Sequence, residues 1–154
     1  MSTVYLVIPC YNEEKVLPET IKELNLQLHK MIDAGLVDVS SRMLFVDDGS
    51  KDHTWQLIEQ FHQQNPLVTG LKLAHNRGHQ NALLAGLMTA KDEADCAISL
   101  DAGLQDDVSV LPQFVQKFEE GCDVVYGVRN KRDTDTWFKR TSAEAFYRFL
   151  SRMG

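Results

Sequence analysis

The chain has 154 residues, 44% of them hydrophobic and 25% charged, which suits one globular domain with a core of its own. Its net charge of −6 is uneven: residues 129–154 hold seven Lys/Arg against three acids, leaving −10 for the remainder, and so acidic a body argues against general nucleic-acid binding. No run approaches the roughly 20 apolar residues of a membrane span, the first residues lack the basic region of a signal peptide, and three cysteines without metal-type spacing read as reduced, buried thiols.

In chain order, Val4–Pro9 is a near-continuous apolar run, the pattern of a strand buried on both faces. Glu13 to about Met31 is expected to be helical, because Val16, Leu17, Ile21, Leu24 and Leu28 recur at helical spacing. Pro18 falls in its first turns, where proline is tolerated. Met43–Val46 is a second strand, followed by a helix carrying Trp55, Leu57, Ile58 and Phe61 that Asn65-Pro66 ends. Val68–Leu73 is a third strand, His79–Ala90 a small-residue helix, Asp95–Leu100 a fourth strand, Val108–Phe118 a helix and Asp123–Tyr126 a fifth strand. Thr136–Met153 is expected to form an amphipathic helix, with Trp137, Phe138, Phe146 and Phe149 among its apolar members and Lys139, Arg140, Arg148 and Arg152 as its cations. No strand follows it, and the chain is expected to be cut short at Gly154.

This alternation implies an α/β domain with a mostly parallel sheet flanked by helices. Right-handed crossovers place every strand C-terminus on one edge. The segments Pro9–Glu13, Asp47–Ser50, Asn76–Gly78, Asp101–Asp107 and Gly127–Arg129 all follow strands and are expected to meet there. Carboxylates at such an edge can hold a divalent cation, and the cation a diphosphate. No Gly-x-Gly-x-x-Gly follows the first strand, which disfavours a dinucleotide-binding domain. A phosphoacceptor module is disfavoured because no lysine ends strand five.

Five motifs lie in order on these strand ends. They are Val7-Ile8-Pro9-Cys10-Tyr11-Asn12-Glu13-Glu14, Val46-Asp47-Asp48-Gly49-Ser50-Lys51-Asp52-His53-Thr54, Asn76-Arg77-Gly78-His79-Gln80-Asn81-Ala82, Asp101-Ala102-Gly103-Leu104-Gln105-Asp106-Asp107 and Tyr126-Gly127-Val128-Arg129. With Phe138-Lys139-Arg140 beyond them, the chain resembles the family 2 glycosyltransferases, above all the polyprenyl-phosphate sugar transferases, the group of dolichol-phosphate mannose synthases and bactoprenol glucosyltransferases. The resemblance implies an A-type glycosyltransferase fold, incomplete at its C-terminus. Residues 1–135 would bind nucleotide sugar, and residues 136–154 would be a basic amphipathic helix of the same domain.

It also implies inverting transfer of a hexose from a nucleoside-diphosphate sugar, of the UDP-glucose or GDP-mannose type, to a polyprenyl phosphate. By resemblance, Pro9, Tyr11, Glu13, Asp47, Asp48 and Ala102 bind the nucleotide, and Asp101 and Gln105 contact Mg²⁺ or Mn²⁺. Asp101 and Arg129 act in catalysis, and Arg129 and Arg140 meet the acceptor phosphate with the planar donor fork of guanidinium. The protein is expected in the cytoplasm, at the inner face of the membrane, which its C-terminal helix would touch. Gly103 departs from the family's Asp-x-Asp-x-Gln pattern and removes one anionic ligand from the cation. The alternative is therefore an impaired, truncated transferase that at most binds nucleotide.

Overall fold

Every second side chain of the first strand, β1 (Val4–Cys10), is apolar toward one face, and the alternate ones are apolar toward the other. Such a strand needs helices on both sides, and the computed structural model, which describes residues 2–103, 108–119, 127–128 and 137–138, supplies them. β1 pairs in parallel with β2 (Arg42–Asp47) on one side and β4 (Cys96–Ser99) on the other, and β3 (Val68–Lys72) extends the sheet beyond β2. The strand order is β3-β2-β1-β4. The chain thus builds outward from β1 to β3, then returns across the sheet to lay β4 against the opposite edge of β1.

Two apolar clusters sandwich the sheet. Val4, Leu6, Ile8, Met43, Phe45 and Ile98 join α1 (Leu17–Asp33), α2 (Thr54–Gln64) and α4 (Leu111–Glu119) on one face. Val7, Leu44 and Val46 meet α3 (His79–Ala90) on the other. α3 lies close because Gly86 faces the sheet. A Cβ there would come within 2.6 Å of Val7 Cγ1 and 2.7 Å of Val46 Cγ2.

Several boundaries differ from those expected. α1 begins at Leu17, not Glu13, with Pro18 in its opening positions, where a missing N–H costs nothing. Residues 13–16 instead form a turn, in which the Val16 and Leu17 amides donate to the Glu13 carbonyl. The 108–118 helix divides into a 3₁₀ turn (Val108–Val110) and α4. Trp137 and Phe138 do not open a helix: they form β6, antiparallel to β5 (Gly127–Val128), with Phe138 opposite Gly127 and Trp137 opposite Val128. Aromatic and β-branched residues favour such pairing, and here that preference prevails over helical spacing. The expected fifth strand (Asp123–Tyr126) and the remainder of the expected C-terminal helix lie outside the described residues.

Candidate active site

The strand order reverses at β1, with β2 and β3 added on one side and β4 on the other, and this leaves a crevice beyond the C-terminal ends of β1 and β4, the position at which open α/β sheets bind ligands. A cavity of about 320 Å³ opens at this edge. Four strand-end segments line it. Pro9, Cys10, Tyr11 and Glu13 come from the end of β1 and the loop after it, Asp48 from just past β2, Asn76, Gly78 and His79 from the segment that leads from β3 into α3, and Asp101 from beyond β4. The structure thus brings Glu13, Asp48 and Asp101 to one rim, although they are distant in sequence.

The adjacent aspartates after β2 have different surroundings. Asp48 is buried, and its carboxylate accepts from the Arg77 amide at 2.7 Å and the Gly78 amide at 3.1 Å. Its own amide donates to the Cys10 carbonyl at 2.8 Å. Asp48 therefore fixes the segment before α3 against the end of β1 while presenting a wall of the cavity, and a carboxylate has lone pairs to spare for a ligand. Asp47 is fully buried and is not among the lining residues. Its Oδ1 accepts from the Ser50 amide at 3.2 Å, and its buried Oδ2 has no hydrogen-bond partner among the described residues.

The β1–α1 and β2–α2 loops are joined by hydrogen bonds between side chains and backbone. The Asn12 amide donates to Ser50 Oγ (2.9 Å), and the Lys51 amide donates to Asn12 Oδ1 (2.8 Å). The Glu13 amide donates to Thr54 Oγ1 (2.9 Å), and the Thr54 hydroxyl donates in turn to Asp52 Oδ1. Asp52 also accepts from the Thr54 and Glu14 amides. Partial burial pushes its carboxyl up, but these hydrogen bonds outweigh the burial and hold it below the usual range.

Opposite, Ala102 is buried among core residues and does not line the cavity. Its carbonyl accepts from the buried Thr20 hydroxyl of α1, which fixes the backbone next to Asp101. Asp101 Oδ1 in turn accepts from the Gly103 amide at 3.4 Å.

Negative charge accumulates here. The Glu13 carboxyl is raised by burial first, then by Asp101 and Asp52. The Cys10 thiol is raised well above the ordinary thiol range by burial, then by Glu13, Asp47 and Asp101, so it is neutral and unreactive at this edge. Carboxylate oxygens are the donors that Mg²⁺ or Mn²⁺ prefers, so the donor chemistry of the rim fits such a cation. Among the described residues no group of three His/Cys/Asp/Glu side chains is arranged to hold a metal. A cation here would need further oxygens, such as those of a diphosphate. Gln105, Arg129 and Arg140 lie outside the described residues.

The acids of this rim stand out in the sequence because they follow apolar strands, whereas Asn12, Ser50, Thr54 and Thr20, which hold the loops around them, carry no such mark. A short polar residue in a Tyr-Asn-Glu turn was the available sign for Asn12, since asparagine tolerates positive φ.

The model of the glycosyl transferase family 2 matches residues 5–153. An uncharacterised glycosyltransferase of Bacillus subtilis, YkoT, is 54% identical over 149 residues, covering 97% of this chain and 44% of YkoT. The bactoprenol glucosyl transferase of Shigella phage SfV is 34% identical over 153 residues, covering 97% of this chain and 46% of the phage protein. The chain thus spans less than half the length of these relatives. Among solved structures, the mannosyltransferase PcManGT of Pyrobaculum calidifontis, in complex with GDP-Man and Mn²⁺, superposes with a TM-score of 0.59 at 19% identity, covering 79% of this chain and 33% of that one. Staphylococcus aureus TarS 1–349 gives 0.57 at 21% identity, covering 77% and 32%. Both show the A-type glycosyltransferase fold.

Proposed function

This chain belongs to glycosyl transferase family 2, and on that premise we propose that it forms the donor-binding part of an inverting transferase that moves a hexose from a nucleoside-diphosphate sugar to a polyprenyl phosphate. The observation that carries the reading is the convergence of Glu13, Asp48 and Asp101 on one cavity at the point where the strand order reverses. The 34% identity to a bactoprenol glucosyl transferase supports the lipid phosphate as acceptor.

In this reading Pro9 and Tyr11 receive the nucleoside, and Asp48, already fixed by the Arg77 and Gly78 amides, accepts from base or ribose. Asp47 supports this wall from beneath, and the Ala102 backbone continues it beside Asp101. Asp101, with Gln105, would hold Mg²⁺ or Mn²⁺. When bound, that cation supplies positive charge to the departing diphosphate. The acceptor phosphate oxygen attacks the anomeric carbon from the face opposite the diphosphate. The new carbon–oxygen bond forms as the bond to the diphosphate breaks, and the configuration inverts. The acceptor is already an anion, so what it needs is orientation rather than a base, and Arg129 and Arg140 supply it. An acceptor anchored in lipid places the reaction at the inner membrane face. No helix among the described residues is long and apolar enough to cross a membrane.

Calorimetric titration of UDP and of GDP into the chain with Mn²⁺ present tests the reading. Saturable binding of one of them is the expected result. A folded chain that binds neither at millimolar concentration refutes it.

A further inference from the structure

The geometry points to Asn12 as a positioning residue that holds the two cavity-lining neighbours, Tyr11 and Glu13, in their binding arrangement by stapling the β1–α1 loop to the β2–α2 loop. The inference rests on the donor-binding reading above and deepens it, because Asn12 is not itself among the lining residues.

Three observations converge. First, Asn12 is the one non-glycine residue with positive φ, +52°, among the described residues. Asparagine enters this left-handed region far more readily than most residues, and the conformation lets residues 11 and 13 face the cavity while residue 12 turns to the neighbouring loop. Second, Asn12 engages that loop on both sides. Its amide donates to Ser50 Oγ at 2.9 Å, and its Oδ1 accepts from the Lys51 amide at 2.8 Å and the Asp52 amide at 3.4 Å. Third, the next residues continue the seam, since the Glu13 amide donates to Thr54 Oγ1 and the Glu14 amide to Asp52 Oδ2.

The seam has a chemical purpose that packing alone does not explain. Glu13 and Asp101 both line the rim, and the charge of Asp101 is one cause that raises the Glu13 carboxyl. A free loop would relieve this repulsion by swinging Glu13 outward into water. The seam keeps the carboxylate at the rim, where a cationic or hydrogen-bond-donating ligand can meet it. Pre-organisation of this kind improves affinity by removing the cost of ordering the loop on binding.

The test is calorimetric titration of UDP and GDP, with Mn²⁺, into the 154-residue chain and four variants. Asn12→Ala removes both the acceptor and the tolerance for positive φ. Asn12→Gly keeps the backbone and removes only the acceptor. Asn12→Asp keeps both. Val37→Ala lowers stability at a buried site outside the strand-end loops and controls for general loosening. Asn12→Ala and Asn12→Gly are expected to weaken nucleotide binding roughly tenfold, the scale of one to two net hydrogen bonds. Asn12→Asp is expected to bind within about threefold of wild type, and Val37→Ala to bind as wild type does. Asn12→Gly carries the test if Asn12→Ala fails to fold. Wild-type affinity in Asn12→Gly, or equal loss in Val37→Ala, overturns the inference while leaving the donor-binding reading intact. A folded wild-type chain that binds neither nucleotide overturns both.

Discussion

Gly49 tests whether the loop after β2 is packed as tightly as the cavity wall requires. Its φ is +69°, and a Cβ placed on it would lie 2.5 Å from the Asn76 amide nitrogen and 2.6 Å from the His75 carbonyl carbon. Both are backbone atoms, so no side-chain rotation relieves the clash. Alanine in the left-handed region costs roughly 1–2 kcal/mol, and forcing a methyl into a filled space costs about 1–3 kcal/mol more. Gly49→Ala is therefore expected to lose about 2–5 kcal/mol, a large share of the roughly 5–15 kcal/mol that stabilises a domain. Urea denaturation at constant slope measures the loss. The clash can be relieved only by moving residues 75–76, and Asn76 and Gly78 line the cavity, so nucleotide affinity should fall as well. Gly49→Asn separates the two causes, since asparagine tolerates the φ but keeps the clash. If Gly49→Ala shifts stability by less than about 1 kcal/mol, the close approach of the two loops is wrong.

Three further substitutions probe neighbouring contacts. Thr20→Val keeps the shape of the buried side chain but removes the hydroxyl that donates to the Ala102 carbonyl; a loss of about 1–3 kcal/mol in urea denaturation is expected. Gly86→Ala in α3 gains up to roughly 1 kcal/mol of helix propensity but presses on Val7 and Val46; those valines are fully buried and stiff at χ1, so a net loss of up to about 2 kcal/mol is expected, and a more stable variant would show that α3 has room to retreat. Glu13→Gln concerns pH. The Glu13 carboxyl is raised by burial, Asp101 and Asp52, so its protonated form is the one the fold favours. That contribution is complete below the ordinary glutamate range and is lost as pH rises through the raised value. The glutamine variant should match wild type at low pH and exceed it in melting temperature near neutrality, and a variant less stable than wild type at pH 7 contradicts the assignment.

The fold was legible because its signals are local. β1 is apolar on both faces, α1 and α2 show helical spacing, and Asn65-Pro66 stops α2, whose last residue is Gln64. The rim acids were legible because each follows an apolar strand, and topology carries strand ends to one edge. What sequence could not supply was the division of labour between Asp47 and Asp48. Adjacent residues at a strand end send their side chains to opposite sides, and only their partners in the fold tell them apart: Asp48 accepts from the Arg77 and Gly78 amides beside the cavity, Asp47 from the Ser50 amide of its own loop. Asn12 was equally hidden. Its partners, Ser50 and Lys51, are 38 and 39 residues away, and their meeting depends on β1 and β2 lying side by side. At Trp137–Phe138, the described part of the expected C-terminal helix, spaced aromatics suit a helix and a strand alike, and there the strand prevails.

The charge of the rim leads to one last expectation. A nucleoside diphosphate is itself strongly anionic, and it is proposed to approach a rim lined by the acidic Glu13 and Asp101, where the charge of Asp101 already raises the Glu13 carboxyl. Contacts to base and ribose through Tyr11 and Asp48 involve no such conflict. The two halves of the ligand should therefore respond differently when divalent ions are removed. With a chelator present, UDP or GDP should bind at least about tenfold more weakly, the equivalent of about 1.4 kcal/mol, because the diphosphate then meets these carboxylates with no divalent ion between them. Uridine or guanosine, measured by the same calorimetry, should bind alike with and without the chelator. Gly103→Asp adds a further carboxylate two residues beyond Asp101 and should steepen the contrast, by strengthening binding when Mn²⁺ is present and weakening it when Mn²⁺ is absent. Equal affinity for the diphosphate in chelator and in Mn²⁺ would mean that cationic side chains alone neutralise it, and the carboxylate rim would then have to serve something other than a cation.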